Sequence, residues 1–260
     1  MPRVKVVTWN VNSLKMRLPR IQEFVELHAP DVMLLQETKA EAAAFPALEL
    51  EAAGFQSVHH SAGRWAGVAI LVRDGLEVGE TALGLPGEPD PAEARWVEAQ
   101  VNGVRMVCTY VINGRAPDSP FFADKLAFLG VAADRVAALR EAGEEVVLGG
   151  DFNVTRDDRD VYDPPAFADD THVQPEERAA FESILERGGL ADAYRELHPD
   201  DVQYTWWDYR AGHFHKGLGL RIDYLLVSPG LRGRLRACGI ERDFRKGKKP
   251  SDHAPLVADL

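Results

Sequence analysis

Short apolar runs that stop on polar residues recur along the chain. Val4 to Trp9, Asp31 to Gln36, Glu145 to Gly150, Leu220 to Val227 and Ala254 to Leu260 are each rich enough in Val, Ile and Leu to predict buried strands. Gly67 to Arg73, Arg95 to Val101 and Val104 to Val111 add three more, and the Asn102-Gly103 pair between the last two predicts a tight antiparallel hairpin. Helical spacing of apolar residues runs from Arg17 to His28, and again from about Pro120 to Glu141, where Gly143 supplies the stop. A third helix, Pro175 to Gly188, starts on its proline. The opening strand, helix, strand order predicts a β-α-β unit, and hairpin signals follow it, so parallel and antiparallel pairing should coexist. Arg156 to Pro175 is Asp-rich and predicts a long surface loop, as does the glycine-punctuated Gly212 to Gly219.

Three polar islands sit just beyond strand ends: Gln36-Glu37-Thr38, Gly149-Gly150-Asp151-Phe152-Asn153 and Ser251-Asp252-His253-Ala254-Pro255. A fourth tip, Asn10-Val11-Asn12, echoes the Asp151-Phe152-Asn153 tip after a similar Val-Val strand. Packed sheets would bring such tips to one cleft. Oxygen donors from Glu37, Asp252, Asn10 and Asn12 suit a hard divalent cation, which needs few protein carboxylates. Hydrolysis of a phosphodiester also requires a base for water, donors for the charged oxygens and help for the leaving group. Asp151 fits the base, while Asn153 and His253 fit the donors. Asp223 interrupts an apolar strand and needs a partner, either His253 or the nearby Arg221. Tyr110 ends its strand before Asn113-Gly114-Arg115 and can aim its hydroxyl into the same cleft.

Composition narrows the setting. The 260 residues are 45% hydrophobic, enough for one large core, and no linker divides 1–260 into two domains. Two distant cysteines, Cys108 and Cys238, exclude a disulfide framework and fit a reducing compartment. The segment from Met1 to Trp9 lacks a signal-type apolar stretch, and no run is long enough to span a membrane, so a cytoplasmic protein without membrane contact is expected. A net charge of −11 disfavours a polyanionic partner at first sight, yet residues 232–249 carry eight Lys and Arg against two acids and lead into Asp252. No Cys and His spacing points to zinc, and His213 and His215 fit a solvated or phosphate-facing pair better.

Taken together, Asn10-Val11-Asn12, Gln36-Glu37-Thr38-Lys39, Tyr110 with Asn113-Gly114-Arg115, Gly150-Asp151-Phe152-Asn153-Val154, Thr205-Trp206-Trp207-Asp208-Tyr209-Arg210, Gly219-Leu220-Arg221-Ile222-Asp223 and Ser251-Asp252-His253-Ala254-Pro255 resemble the exonuclease III family of abasic-site endonucleases. The resemblance runs in family order over nearly the whole chain. It implies a deoxyribonuclease I-like four-layer α/β sandwich, with two packed mixed β-sheets flanked by helices. It also implies dependence on Mg²⁺, with Mn²⁺ as a substitute, incision of double-stranded DNA 5′ to abasic sites, and 3′-5′ exonuclease trimming of 3′ ends; a monomer is expected. By the same resemblance Glu37, Asp252 and Asn10 hold metal with Asp151 and Asn153 beside them. Asp151 activates water, Asn153 and His253 stabilise the transition state, Asp223 orients His253 and Tyr110 touches phosphate. Trp206 would pack against an extrahelical sugar, and Arg115, Lys125, Arg210, Lys216 and Asn12 are the candidate DNA contacts. Two positions depart from the pattern: Ile112 and Arg156 stand where the family usually has proline, and Arg156 would add a phosphate contact beside Asp151. The alternatives are a phosphatase of the same superfamily acting on a small or lipid phosphate, which the Trp206 loop disfavours, and a silent nucleic-acid binder, which has no use for an intact base and orienter.

Overall fold

The computed structural model describes residues 3–260; Met1 and Pro2, part of the N-terminal stretch read for a signal sequence, lie outside it. Strand β1 (Lys5–Asn10), helix α1 (Leu14–His28) and β2 (Val32–Gln36) form the expected unit, with β1 and β2 parallel and Asn10 opposite Gln36. Helix α2 (Ala47–Ala52), β3 (Phe55–His60) and β4 (Val68–Arg73) follow. Then come β5 (Val78–Leu83), β6 (Trp96–Val101), β7 (Val104–Tyr110), α3 (Pro120–Glu141) and β8 (Val146–Asp151). The last third holds α4 (Pro175–Gly188), β9 (Ala191–Asp192), β10 (Asp223–Val227), β11 (Ala237–Ile240) and β12 (Leu256–Asp259). Asn102 and Gly103, both at positive φ, make the two-residue turn between β6 and β7.

Two six-stranded mixed sheets result, ordered β11-β12-β1-β2-β4-β3 and β5-β6-β7-β8-β10-β9. The central strands bury both faces, which is why they read as continuous apolar runs. In β1, Val6 points into the core between the sheets with Leu34, Val97 and Val147, whereas Val7 and Trp9 point outward beneath α1 with Phe24. On the far side α3 and α4 cover β7 and β8 through Phe128, Val136, Phe181 and Ile184. Four layers therefore stack as helix, sheet, sheet, helix. Strands β3, β5, β9 and β11 lie toward the sheet edges, are shorter or partly exposed, and have no counterpart in the apolar runs. The Asp-rich stretch 156–174 contains only single short helical turns, in keeping with the expected loop.

Candidate active site

All four polar tips meet at one edge of the sandwich, where β1, β2 and β8 end and β10 and β12 begin. Parallel β1 and β2 carry Asn10 and Glu37, parallel β7 and β8 carry Tyr110 and Asp151 opposite one another, and antiparallel β10 starts on Asp223 across from Asp151. His253 comes from the turn before β12, pinned by its own N–H to Ser251 Oγ and by Trp9 Nε1 on its carbonyl. Ser251 Oγ in turn donates to the Asn10 carbonyl at 2.7 Å. These bonds pin the turn before β12 to the end of β1 within the first sheet.

Asp151 is the hub. Its Oδ1 accepts the backbone N–H of Asn153 at 2.9 Å, and its Oδ2 accepts Asn10 Nδ2 at 2.9 Å with His253 Nε2 at 3.6 Å. Burial pushes its carboxyl up to about 7, with the His253 charge opposing and Asp223 and Glu37 reinforcing. His253 bonds Asp223 Oδ2 through Nδ1 at 2.8 Å. Burial disfavours the imidazolium, but the charges of Asp223 and Asp151 outweigh it and raise the ring to about 10. The alternative partner for Asp223 is ruled out, because Arg221 is fully buried and bound to Asp160 and Asp192.

Asn10 Nδ2 also reaches Glu37 Oε1 at 2.8 Å, so one amide holds two carboxylates close together. Ligand atoms of Glu37, Asp151 and His253 lie within 4.8 Å of one another. Like-charged carboxylates held this way fit a hard divalent cation, whose oxygen preference matches Glu37 and Asp151. Asp252 forms a neighbouring wall. Its Oδ1 accepts Asn12 Nδ2 at 3.0 Å and its Oδ2 accepts Trp206 Nε1 at 3.1 Å. Burial opposes its charge, yet His253 and these two donors keep the carboxyl below its usual range. Tyr110 is half-buried; burial and the charges of Glu37 and Asp151 push its hydroxyl well above the ordinary value.

Asn153 sits at φ 52°, and Glu37, Asn12, Lys39, Arg115 and His172 around the cleft are also left-handed. Such backbone strain gathers where surrounding structure must hold a side chain in one place. Asn153 Oδ1 accepts Asn113 Nδ2 at 3.1 Å and its Nδ2 donates to the Val111 carbonyl at 2.9 Å, bonds that use only one of its two amide hydrogens.

The outer candidates divide. Trp206 and Arg210 line a groove of about 290 Å³ with Arg115, Tyr162, His172 and His213. Arg210 is bound to Asp208, and Arg115 lies 3.5 Å over the Phe121 ring. Lys216 is exposed on the helical turn His213–Lys216, outside the groove lining. Lys125, expected on DNA phosphate, is instead completely buried under Asn153, because its ammonium is used up by Glu177, Thr171 and two carbonyls. Arg156 likewise turns away from Asp151 to Glu182 of α4. Part of the basic 232–249 segment is also structural: Arg232 pairs with Glu196, Lys246 with Asp243, and Arg245 packs on Tyr209. Sequence reasoning did not assign Lys39, which bridges Glu37 and Asn12, although it follows directly in the Gln36-Glu37-Thr38-Lys39 island. It also left out Thr171 and His172, which no local pattern marks.

Residues 7–253, spanning every one of these tips, match the endonuclease/exonuclease/phosphatase family. The chain belongs to the exonuclease III branch of that family. Exodeoxyribonuclease III of Haemophilus influenzae is 30% identical over 99% of this chain and all of that protein. The 3′-5′ exonuclease of Neisseria meningitidis superposes with a TM-score of 0.94 at 38% identity, covering 98% of each chain. A structure of that exonuclease from Neisseria, described as a 3′ phosphatase, holds a product DNA hairpin. An AP endonuclease from Archaeoglobus fulgidus matches with a TM-score of 0.92 at 33% identity over 98% of each chain. Membership in the exonuclease III branch makes this chain a divalent-metal-dependent nuclease, with the deoxyribonuclease I-like fold seen here.

Proposed function

We propose that this enzyme is a cytoplasmic, monomeric repair nuclease that hydrolyses phosphodiesters in double-stranded DNA, cutting 5′ to abasic sites and trimming 3′ ends. The observation that carries it is the Asp151 carboxylate, held between Asn10, the Asn153 N–H and His253 at the mouth of a cleft walled by Glu37 and Asp252. Glu37, Asn10, Asp151 and Asn153, with Asp252 alongside, would hold Mg²⁺ or Mn²⁺. Such an ion supplies charge neutralisation on the phosphate and a more acidic water. With its carboxyl near 7, Asp151 takes the proton of the attacking water. His253, kept cationic and in one orientation by Asp223, donates to a non-bridging oxygen, and the spare Asn153 N–H and the Tyr110 hydroxyl add donors. Asn12, Arg115 and Arg210 would meet the DNA backbone.

A second reading, 3′-end processing in preference to abasic incision, is supported by the groove beside Trp206. His172 stands in its wall with Nδ1 fixed 2.6 Å from the Asn153 carbonyl, so the space for an extrahelical sugar is bounded by a ring that cannot swing away freely. The Neisseria relatives named for 3′ activities support the same ranking.

The test is incision of a duplex carrying one tetrahydrofuran abasic analogue, beside undamaged duplexes with a recessed 3′ hydroxyl and a 3′ phosphate, with Mg²⁺ and with EDTA. Metal-dependent release from any of them supports a repair nuclease, and the relative rates choose between the two readings. Asp151→Asn should lower turnover at least about 100-fold with DNA affinity nearly unchanged; near-normal turnover would remove Asp151 as the base.

A further inference from the structure

Beneath the cleft lies a buried charge pair. Lys125 of α3 and Glu177 of α4 are both fully buried and joined as an ion pair. The ammonium also donates to the Asn153 carbonyl at 2.6 Å, to Thr171 Oγ1 at 3.0 Å and to the Asn113 carbonyl at 3.3 Å. Thr171 Oγ1 donates to that same Asn113 carbonyl at 2.9 Å, and Asn113 Nδ2 returns to Asn153 Oδ1. Five chain segments therefore converge on one nitrogen: the tip after β8, the loop after β7, α3, the end of the Asp-rich loop and the start of α4. Gly114 makes room for it, since a Cβ there would fall 3.1 Å from Lys125 Cδ and 2.9 Å from Thr171 Oγ1.

A buried ion pair is weak evidence of stability, because desolvation offsets the attraction and apolar replacement is often neutral. Nothing about packing alone requires a charge at this depth. We infer that Lys125, with Glu177 and Thr171, is a positioning assembly that fixes Asn153 for the reaction, holding its strained backbone from below while Asn113 aligns its amide. The inference rests on the role proposed for Asn153. Glu177 also accepts the Gln174 N–H as part of the α4 cap through Oε1, so α4 is anchored by the same carboxylate.

The decisive variant removes both charges while keeping that cap, Lys125→Met with Glu177→Gln. A structural role predicts a changed Tm and unaltered kcat in the folded protein. The positioning role predicts a Tm within a few degrees of the parent, kcat about 100-fold lower and an unchanged KM for a 3′-recessed duplex. In an Asn153→Ala background the same pair of substitutions should then have no further effect on kcat. Full kcat in the charge-free variant, with Asn153→Ala inactive, overturns the inference alone. Near-normal kcat in Asn153→Ala overturns the Asn153 role itself, and the inference with it. Thr171→Val, a near-isosteric change, guards against a folding failure: a smaller kcat loss that also vanishes in the Asn153→Ala background is expected, and an additive loss overturns the proposal.

Discussion

At His172 the chain sets a titratable ring against two constraints at once. Loss of water around the ring, and then the nearby Lys125 charge, lower its pKa from 6.5 to about 3, while the bond to the Asn153 carbonyl works in the other direction. Because the folded value lies below the unfolded one, the unfolded chain binds the extra proton between these limits. The stabilising contribution is therefore complete above about 6.5 and is lost as pH falls toward 3. His172→Gln should accordingly flatten the fall in Tm between pH 7.5 and pH 5, measured by calorimetry against the parent protein. An identical slope in both proteins would mean that the ring titrates normally. Asn153, Glu37 and Asp151 were recognisable from sequence because each follows an apolar run. Lys125 was misread for a physical reason: a lysine at helical spacing among surface residues looks like a solvent-facing cation, and only the carbonyls of Asn113 and Asn153 and the Glu177 carboxylate, brought from distant segments, make its burial tolerable.

Among the elements, β8 places Asp151, the proposed base, and its two glycines let it do so. A Cβ on Gly149 would lie 2.5 Å from Leu34 Cδ1 in the opposite sheet and 2.8 Å from Leu225 Cδ2 in β10. Gly149→Ala should thus force the sheets apart, destabilising by about 1–3 kcal/mol. That change should be read as a lower Tm accompanied by a loss of kcat, since the Asp151 tip shifts with the strand. Unchanged kcat with lowered Tm would show that the tip is held by its hydrogen bonds alone. Strands buried on both faces, such as β1, β2, β8 and β10, were legible because burial leaves no polar alternation to confuse them. Edge strands such as Val78–Leu83, with Gly79, Glu80 and Thr81 exposed, offered no such pattern. The hairpin turn was legible because Asn102-Gly103 satisfies a backbone requirement locally. The packing of the two sheets was legible only through the family resemblance, as it depends on contacts such as Leu34 with Gly149 that are far apart in the chain.

For the molecule as a whole, the acidic cleft couples cation binding to stability. Glu37, Asp151, Asp223 and Asp252 crowd one edge, balanced in part by Lys39 and His253. Adding Mg²⁺ in about 100-fold excess over its dissociation constant should stabilise the fold by about 2.7 kcal/mol, seen as a Tm several degrees higher than in EDTA. Far-UV circular dichroism should stay the same, because the sheets carry their own core. A Tm indifferent to Mg²⁺ but raised by another divalent ion would reassign the metal. The site also draws on sheets of different sequence composition: the first sheet is made from both ends of the chain, the second from its middle. Strand β1 pairs with β12, and Val4 and Leu260 exchange backbone hydrogen bonds. During synthesis, then, Glu37, Asp151 and Asp223 have all left the ribosome before His253 and the strand that seats it. Until β12 docks on β1, the turn that seats His253 is unformed, so the site depends on the strand pairing of greatest sequence separation in the first sheet.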